Sequence, residues 1–289
     1  MAGTLRLGRR TFAAHDLVVM AIINRTPDSF FDRGATYAAD AALRAVERAV
    51  AEGAEIIDIG GVKAGPGAEV SVAEEIRRTV PTIAAVRRAF PDVVISVDTW
   101  RAEVAAEAVA AGADLLNDTW SGADPALAQV AAETGAGLVC SHAGGLAPRT
   151  RPHRAEFDDV VADVRATVTR LAERAVQLGV RRDGILIDPA HDFGKNTRHS
   201  LEITRRLGEL TATEWPVLVA LSNKDFVGET LDLPVDERLE GTLAATAISA
   251  WLGAQVFRAH QVRPTRRVLD MVASIRGDRP PAVSRRGLA

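Results

Sequence analysis

Seven polar side chains stand at or just beyond the ends of short apolar runs in this 289-residue chain: Asn24, Asp98, Asn117, Asp188, Lys224, Arg258 and His260. Carboxylates and an amide can read the hydrogen-bonding edge of a ligand, and fixed cations stabilise negative charge as it develops on a leaving group. Each residue also has a plainer use. Asp98 and Asp188 can cap the helices that follow them, and Arg258 and His260 alternate along a strand end and could simply be solvated. The run His142 to Gly145 reads as a flexible turn rather than a metal or phosphate site. The basic run Arg149 to Arg154 reads as a mobile rim loop, and His191 with Asp192 as a local pair. What separates these readings is whether the fold brings the seven side chains to one place.

Val- and Ile-rich runs alternate eight times with longer Ala, Arg and Glu segments of helical spacing, the pattern of successive βα units around a parallel sheet. The spacing predicts strands at Val18 to Asn24, Glu55 to Gly60, Val93 to Asp98, Asp114 to Asn117, Gly137 to Ser141, Gly184 to Asp188, Val217 to Ala220 and Gln255 to Arg258. Ala38 to Ala51 and Arg101 to Ala111 read as helices closed by Gly53 and Gly112. The expected fold is α/β, a single (β/α)8 TIM barrel. Before it, Leu5 to Phe12 read as a short N-terminal hairpin around Gly8 that could plug the bottom. Residues 1–277 form the barrel domain, and Asp278 to Ala289, with two prolines and several arginines, form a flexible C-terminal tail.

Loops that follow the strands of such a barrel converge on one mouth, so the seven polar residues share a rim. Arginine outnumbers lysine 32 to 3, and Lys63, Lys195 and Lys224 all fall in those loops. A composition 47% hydrophobic and 25% charged supports a large core and fits neither disorder nor a fibrous repeat. A net charge of −3 gives no basic footprint for nucleic acid. The apolar stretch Leu17 to Ile23 falls well short of the roughly 20 residues a membrane helix needs. Cys140 is the only cysteine, which rules out an intrachain disulfide and suits a cytoplasmic setting. The expected partners are small molecules and a second copy of the chain, with no nucleic acid and no membrane.

The strings at the strand ends, taken in order, resemble dihydropteroate synthases. They begin with NRTPDSF at Asn24 to Phe30, IDIGG at Ile57 to Gly61, SVDT at Ser96 to Thr99 and Asn117 with Asp118. Asp188 with Pro189, FGK at Phe193 to Lys195, SNK at Ser222 to Lys224 and RAH at Arg258 to His260 complete the series. That family condenses 6-hydroxymethyl-7,8-dihydropterin pyrophosphate with p-aminobenzoate and expels pyrophosphate. The resemblance implies that Asp98, Asn117 and Asp188 read the pterin ring, with Lys224 on its carbonyl side. It also implies that Arg258 and His260 hold the pyrophosphate, and that Asn24 serves both that group and Mg²⁺, a cation that binds through oxygen ligands and substrate phosphates. Lys224, Arg258 and His260 then form the catalytic group, Phe193, Ser222 and Lys63 the second-substrate region, and the chain a homodimer.

The chain departs from the family pattern in its loops. Where the family has Gly-Gly-Glu-Ser-Thr-Arg-Pro-Gly, this chain reads Gly60-Gly-Val-Lys-Ala-Gly-Pro-Gly67. Ala64 therefore lacks the hydroxyl, and Gly65 the guanidinium, that fold over the reacting groups. The family's Gly-Phe-Gly-Phe-Gly-Lys becomes Ala190 to Lys195, Ser-Arg-Lys becomes Ser222-Asn-Lys224, and the aspartate after the last histidine becomes Gln261. This combination resembles the second dihydropteroate synthase paralogue of actinobacteria, which is regarded as lacking the standard activity. The resulting expectation is a dihydropteroate synthase homologue with its pterin pocket retained and its standard activity weak or absent. The alternatives are an active synthase in which Lys63 and His191 compensate, a folate-dependent methyltransferase domain, and a non-catalytic pterin-binding protein.

Overall fold

Each of the eight apolar runs alternates with period two, and the alternation sorts its side chains between two separate cores. The computed structural model of the protein describes residues 3–26, 36, 39–150 and 156–287. Its parallel strands are β3 (Val18–Asn24), β4 (Ile56–Gly60), β5 (Val94–Asp98), β6 (Leu115–Asp118), β7 (Gly137–Ser141), β8 (Ile185–Asp188), β9 (Leu218–Ala220) and β10 (Val256–Ala259). They are ordered β8-β7-β6-β5-β4-β3-β10-β9, and a parallel bridge between Ile187 and Val217 closes the cylinder.

One core lies inside the cylinder and gathers Val18, Met20, Ile56, Val94, Leu115, Val139, Leu186, Leu218 and Val256 with Leu5, Leu7 and Phe12. The last three belong to the antiparallel hairpin β1 (Leu5–Leu7) and β2 (Arg10–Phe12), which fills the lower end as expected. Gly137 makes room for this plug, because a Cβ there would stand 2.5 Å from Leu7 Cδ2. The other core takes the intervening strand residues, among them Ile57, Ile95, Leu138 and Phe257, and packs them against the helices.

Around the strands run α1 (Ala39–Ala51), α2 (Val72–Ala89), α3 (Ala102–Ala110), α4 (Leu127–Thr134), α5 (Val160–Leu178), α6 (Thr197–Arg205), α7 (Gly208–Thr211), α8 (Asp225–Leu231), α9 (Leu239–Trp251) and α10 (Val262–Arg276). Gly53 and Gly112, read as helix ends, have φ of +99° and +113°. Two βα units are more elaborate than one helix each. Between β8 and β9 the chain breaks into α6 and α7. Between β9 and β10 it inserts α8 before α9, with Asp232 in a left-handed conformation ending α8. Beyond Gly277, residues 279–287 are exposed. Pro27 to Phe30 of the first motif, Arg151 to Arg154 of the basic run, Ala38, and the last two positions of the tail lie outside the described residues.

Candidate functional site

On the inner register, the positions above the apolar layer turn polar. They are Asp58 on β4, Ser96 and Asp98 on β5, Asn117 on β6, Ser141 on β7, Asp188 on β8 and Arg258 on β10. Each stands two or four residues beyond an interior hydrophobic residue of its own strand. Because alternate residues share a face, all of them point into the open end of the cylinder.

Arg258 organises one side of this mouth. Its Nε lies 2.6 Å from Asp58 Oδ2 and its Nη2 lies 2.8 Å from Asp98 Oδ2. Asp58 also accepts from Ser96 Oγ at 2.6 Å and from Asn117 Nδ2 at 3.2 Å, while Asp98 accepts from Thr119 Oγ1 at 2.9 Å. One guanidinium and two carboxylates thus tie β4, β5, β6 and β10 together. Burial pushes the Asp98 carboxyl up to about 6 against the pull of Arg258, and the charge of Asp58 adds to the rise. Arg258 is not simply solvated, and Asp98 is not simply a helix cap.

On the other side of the mouth, burial raises the Asp188 carboxyl while Lys224 opposes the shift, and Asp188 Oδ1 accepts from the Ala190 amide at 2.7 Å. Burial lowers the Lys224 ammonium against the pull of Asp192 and Asp188. Its Nζ donates to the His191 carbonyl and sits 4.9 Å from the Phe193 ring centroid. Phe193 in turn meets Trp120 edge to face at 5.3 Å. His260 is driven down to about 3 by burial, helped by Arg258 and Lys224, so its imidazole is neutral at neutral pH. Its Nδ1 lies 3.0 Å from Ser222 Oγ. Asn24 reaches the same mouth: a Cβ on Gly60 would stand 4.0 Å from Asn24 Oδ1 and 3.8 Å from Asp98 Oδ2.

The departures from the family pattern are of two kinds. Asn223 Nδ2 donates to Gln261 Oε1 at 3.2 Å, so the replacements at these two positions form a matched pair of neutral amides. The second loop is different. The Lys63 side chain lies along it, with Cε 3.9 Å from the position of a Cβ on Gly65. Arg149, from the loop after β7, places Nε 3.3 Å from the Gly65 carbonyl oxygen and Nη1 2.8 Å from that of Ala68. This described part of the basic run straps the loop after β4 to the loop after β7, with β5 and β6 between them.

Other residues singled out in the sequence are structural. His142 is buried with Nε2 2.7 Å from Asp163 Oδ2, and burial lowers it to about 4. His191 stacks on Phe226 and meets Thr204 Oγ1 at 3.0 Å, whereas Asp192 accepts from Ser200 Oγ and the Phe226 amide, so the two neighbours do not pair with each other. Lys195 is buried, donates to the carbonyls of His142, Ala190 and Phe193, and is lowered to about 7 by burial and by Lys224. It locks together two rim loops that touch at Gly194, where a Cβ would stand 2.6 Å from the Ala143 carbonyl oxygen. Reading only the last polar residue of each strand misses Asp58, and Ser141, which does end its strand, is not singled out because a lone serine there carries no motif. The signal for Asp58 was its inward position within IDIGG, two residues after Ile56.

Comparison with known proteins is specific. Residues 20–260 match the family described as pterin binding enzyme. The chain is 62% identical over 284 residues to "Inactive dihydropteroate synthase 2" of Mycobacterium leprae, covering 97% of this chain and 98% of that one. It is 38% identical over 255 residues to the dihydropteroate synthase of Escherichia coli, covering 88% and 90%. It is similar in structure to Yersinia pestis dihydropteroate synthase with a sulfonamide drug complex, with a TM-score of 0.90 at 36% identity, covering 96% of this chain and 100% of that one.

Proposed function

Because this chain belongs to the pterin-binding enzyme family as a dihydropteroate synthase homologue, we propose that it binds a pterin pyrophosphate at the barrel mouth and performs the standard condensation weakly or not at all. The observation that carries the reading is the hydrogen-bonded network of Asp58, Asp98, Asn117 and Arg258, in which Asp58 and Asn117 are buried and Asp98 and Arg258 half-buried. Asp188 and Lys224 face it, beside Phe193. The acids and the amide address the amidine-like edge of the ring, and the Lys224 ammonium serves its carbonyl side. A ligand lacking those groups would leave buried acceptors unpaired, which is the basis of selectivity.

His260 and Arg258 suit the pyrophosphate. An approaching anion favours protonation of His260, and Arg258 must share its guanidinium between the two acids and the anion. Mg²⁺ fits as a cation delivered with the substrate phosphates, with the Asn24 amide oxygen as its protein ligand. Among the described residues no group of three or more His, Cys, Asp or Glu could hold a metal, so the donor set suits shared rather than all-protein coordination. When bound, the ion would supply charge neutralisation for the departing pyrophosphate.

What the chain lacks is order over the second substrate. Ala64 and Gly65 supply neither a hydroxyl nor a guanidinium, and closure that positions both reactants contributes directly to rate. The Mycobacterium leprae relative is named inactive, in keeping with this reading. Similarity to synthases in both sequence and structure does not favour the methyltransferase alternative. We place the protein in the cytoplasm, where a single buried Cys140, its thiol pushed up by burial, stays reduced and inert. Among the described residues no helix is long and apolar enough to cross a membrane. We also propose a homodimer, supported by Ile248 and Trp251 on α9 and Met271 and Ile275 on α10, which are exposed on two helices packed side by side.

Calorimetric titration with 6-hydroxymethyl-7,8-dihydropterin pyrophosphate and Mg²⁺, followed by p-aminobenzoate, tests the reading. Saturable pterin binding is expected, with turnover far below that of an ordinary synthase. Absence of pterin binding would overturn the assignment, and turnover within about tenfold of an ordinary synthase would overturn the loss of activity.

A further inference from the structure

Ser141 closes β7 on the inner register, two residues above the interior Val139 and directly paired with Asp188 on β8. It is fully buried, and its Oγ has no hydrogen-bond partner among the described residues. Three other polar side chains of the same inner register are engaged: Ser96 and Asn117 donate to Asp58, and Asp188 accepts from the Ala190 amide. The strand end is also held in place. Ser121 Oγ donates to the Ser141 carbonyl at 2.8 Å and accepts from the Ala143 amide at 2.5 Å, and the His142 amide donates to the Asp188 carbonyl at 3.1 Å.

A buried hydroxyl without a partner is costly to the folded protein, and such a group calls for a specific explanation. Here the explanation is positional. Ser141 stands beside Asp188, in the same layer of side chains as the acids and the amide that face the mouth, and its backbone is clamped on both sides. We propose that Ser141 Oγ is a further ring-reading group of the pterin site, completing its hydrogen bonding only when the polar edge of a heterocycle lies against Asp188. The inference rests on the pterin-binding reading given above and adds to it a specificity-determining residue. A hydroxyl both donates and accepts, so at this position it can satisfy a ring nitrogen in either protonation state, where Asp188 when ionised only accepts.

The test compares the intact wild-type chain with Ser141→Ala and with Ser141→Cys, which nearly keeps the side-chain volume and weakens the hydrogen bond. Each is titrated calorimetrically with 6-hydroxymethyl-7,8-dihydropterin pyrophosphate and with 6-hydroxymethylpterin, which carries the ring and no phosphate, and each is melted without ligand. The expected result is a loss of affinity of about fivefold to tenfold for both probes in both variants, together with a melting temperature of the free Ser141→Ala protein equal to or above wild type. A structural serine would give the opposite sign, lowering the melting temperature, and that outcome overturns the proposal. So does unchanged affinity, or a loss confined to the pyrophosphate probe, which would place the hydroxyl at the anion instead of the ring. If the wild type binds neither probe, the pterin reading itself fails, an outcome separate from failure of the Ser141 assignment.

Discussion

Arg258 has one guanidinium and more claims on it than it can meet at once. Its Nε and Nη2 are committed to Asp58 and Asp98, so a pyrophosphate bound as proposed would draw on what remains of the fork, and the protonation of Asp98 would become part of its binding. Asp98 is raised from 3.8 to about 6, first by burial. The folded protein therefore holds a proton there that the unfolded chain has released. This stabilising contribution is fully present below about 3.8 and is lost as pH rises through about 6. A carboxyl that must accept from the ring's donor edge works in its ionised form, so affinity for 6-hydroxymethylpterin should fall as pH drops below about 6, approaching tenfold per unit. The Asp98→Asn variant should bind more weakly and without that pH dependence, which titration calorimetry between about pH 5 and 8 would reveal; a flat wild-type profile would count against Asp98 as an acceptor. At this scale the sequence showed which residues end the strands but not how they pair. Asp58 lies two residues below its strand's end, inside the cylinder, and its importance comes from a partner 200 positions away. The exchange at Asn223 and Gln261 looked like two separate losses until their side chains were found hydrogen-bonded to each other.

At the scale of elements, strand positions were legible to within a residue or so because inward and outward hydrophobic residues alternate so regularly. The helices after β8 and β9 were not, because short helices such as α7 and α8 carry too few turns to establish a period. Contacts between loops were equally hidden, since the Arg149 to Gly65 bond joins positions 84 apart and ends on a backbone carbonyl, which no side-chain pattern marks. That strap has a measurable consequence. Arg149 holds the second loop by two hydrogen bonds in a conformation the loop has no guanidinium of its own to enforce. Arg149→Ala should speed amide exchange across residues 61–71 by about fivefold to tenfold, with global stability changed by no more than about 0.5 kcal/mol. Hydrogen exchange followed by mass spectrometry separates these effects, and equal exchange rates in the two proteins would show that the loop is held by other contacts.

Across the whole molecule, the outer helices of a barrel ordinarily turn an apolar stripe inward and a polar face to water. Helix α9 breaks this rule. After Glu240 its sequence carries no charge, and Ile248 and Trp251 are 52% and 60% exposed. On the neighbouring α10, Met271 and Ile275 are 61% and 60% exposed, so the apolar surface continues from one helix to the next. A two-fold axis through this face would set each patch against its own copy, the isologous arrangement most homodimers adopt. A stable interface buries about 1,600 Å² in total, and a large indole near its centre is the kind of side chain on which such an interface depends. Trp251→Glu should therefore convert a dimer to a monomer in sedimentation velocity at micromolar concentration. Because α9 packs on the outside of the cylinder and none of the mouth residues lies on it, pterin affinity should stay within about twofold of wild type, well under the tenfold that about 1.4 kcal/mol represents. A wild-type chain that sediments as a monomer throughout that range would remove the dimer from the account while leaving the ligand site untouched. A Trp251→Glu protein that stays dimeric would instead place the two-fold axis on another face.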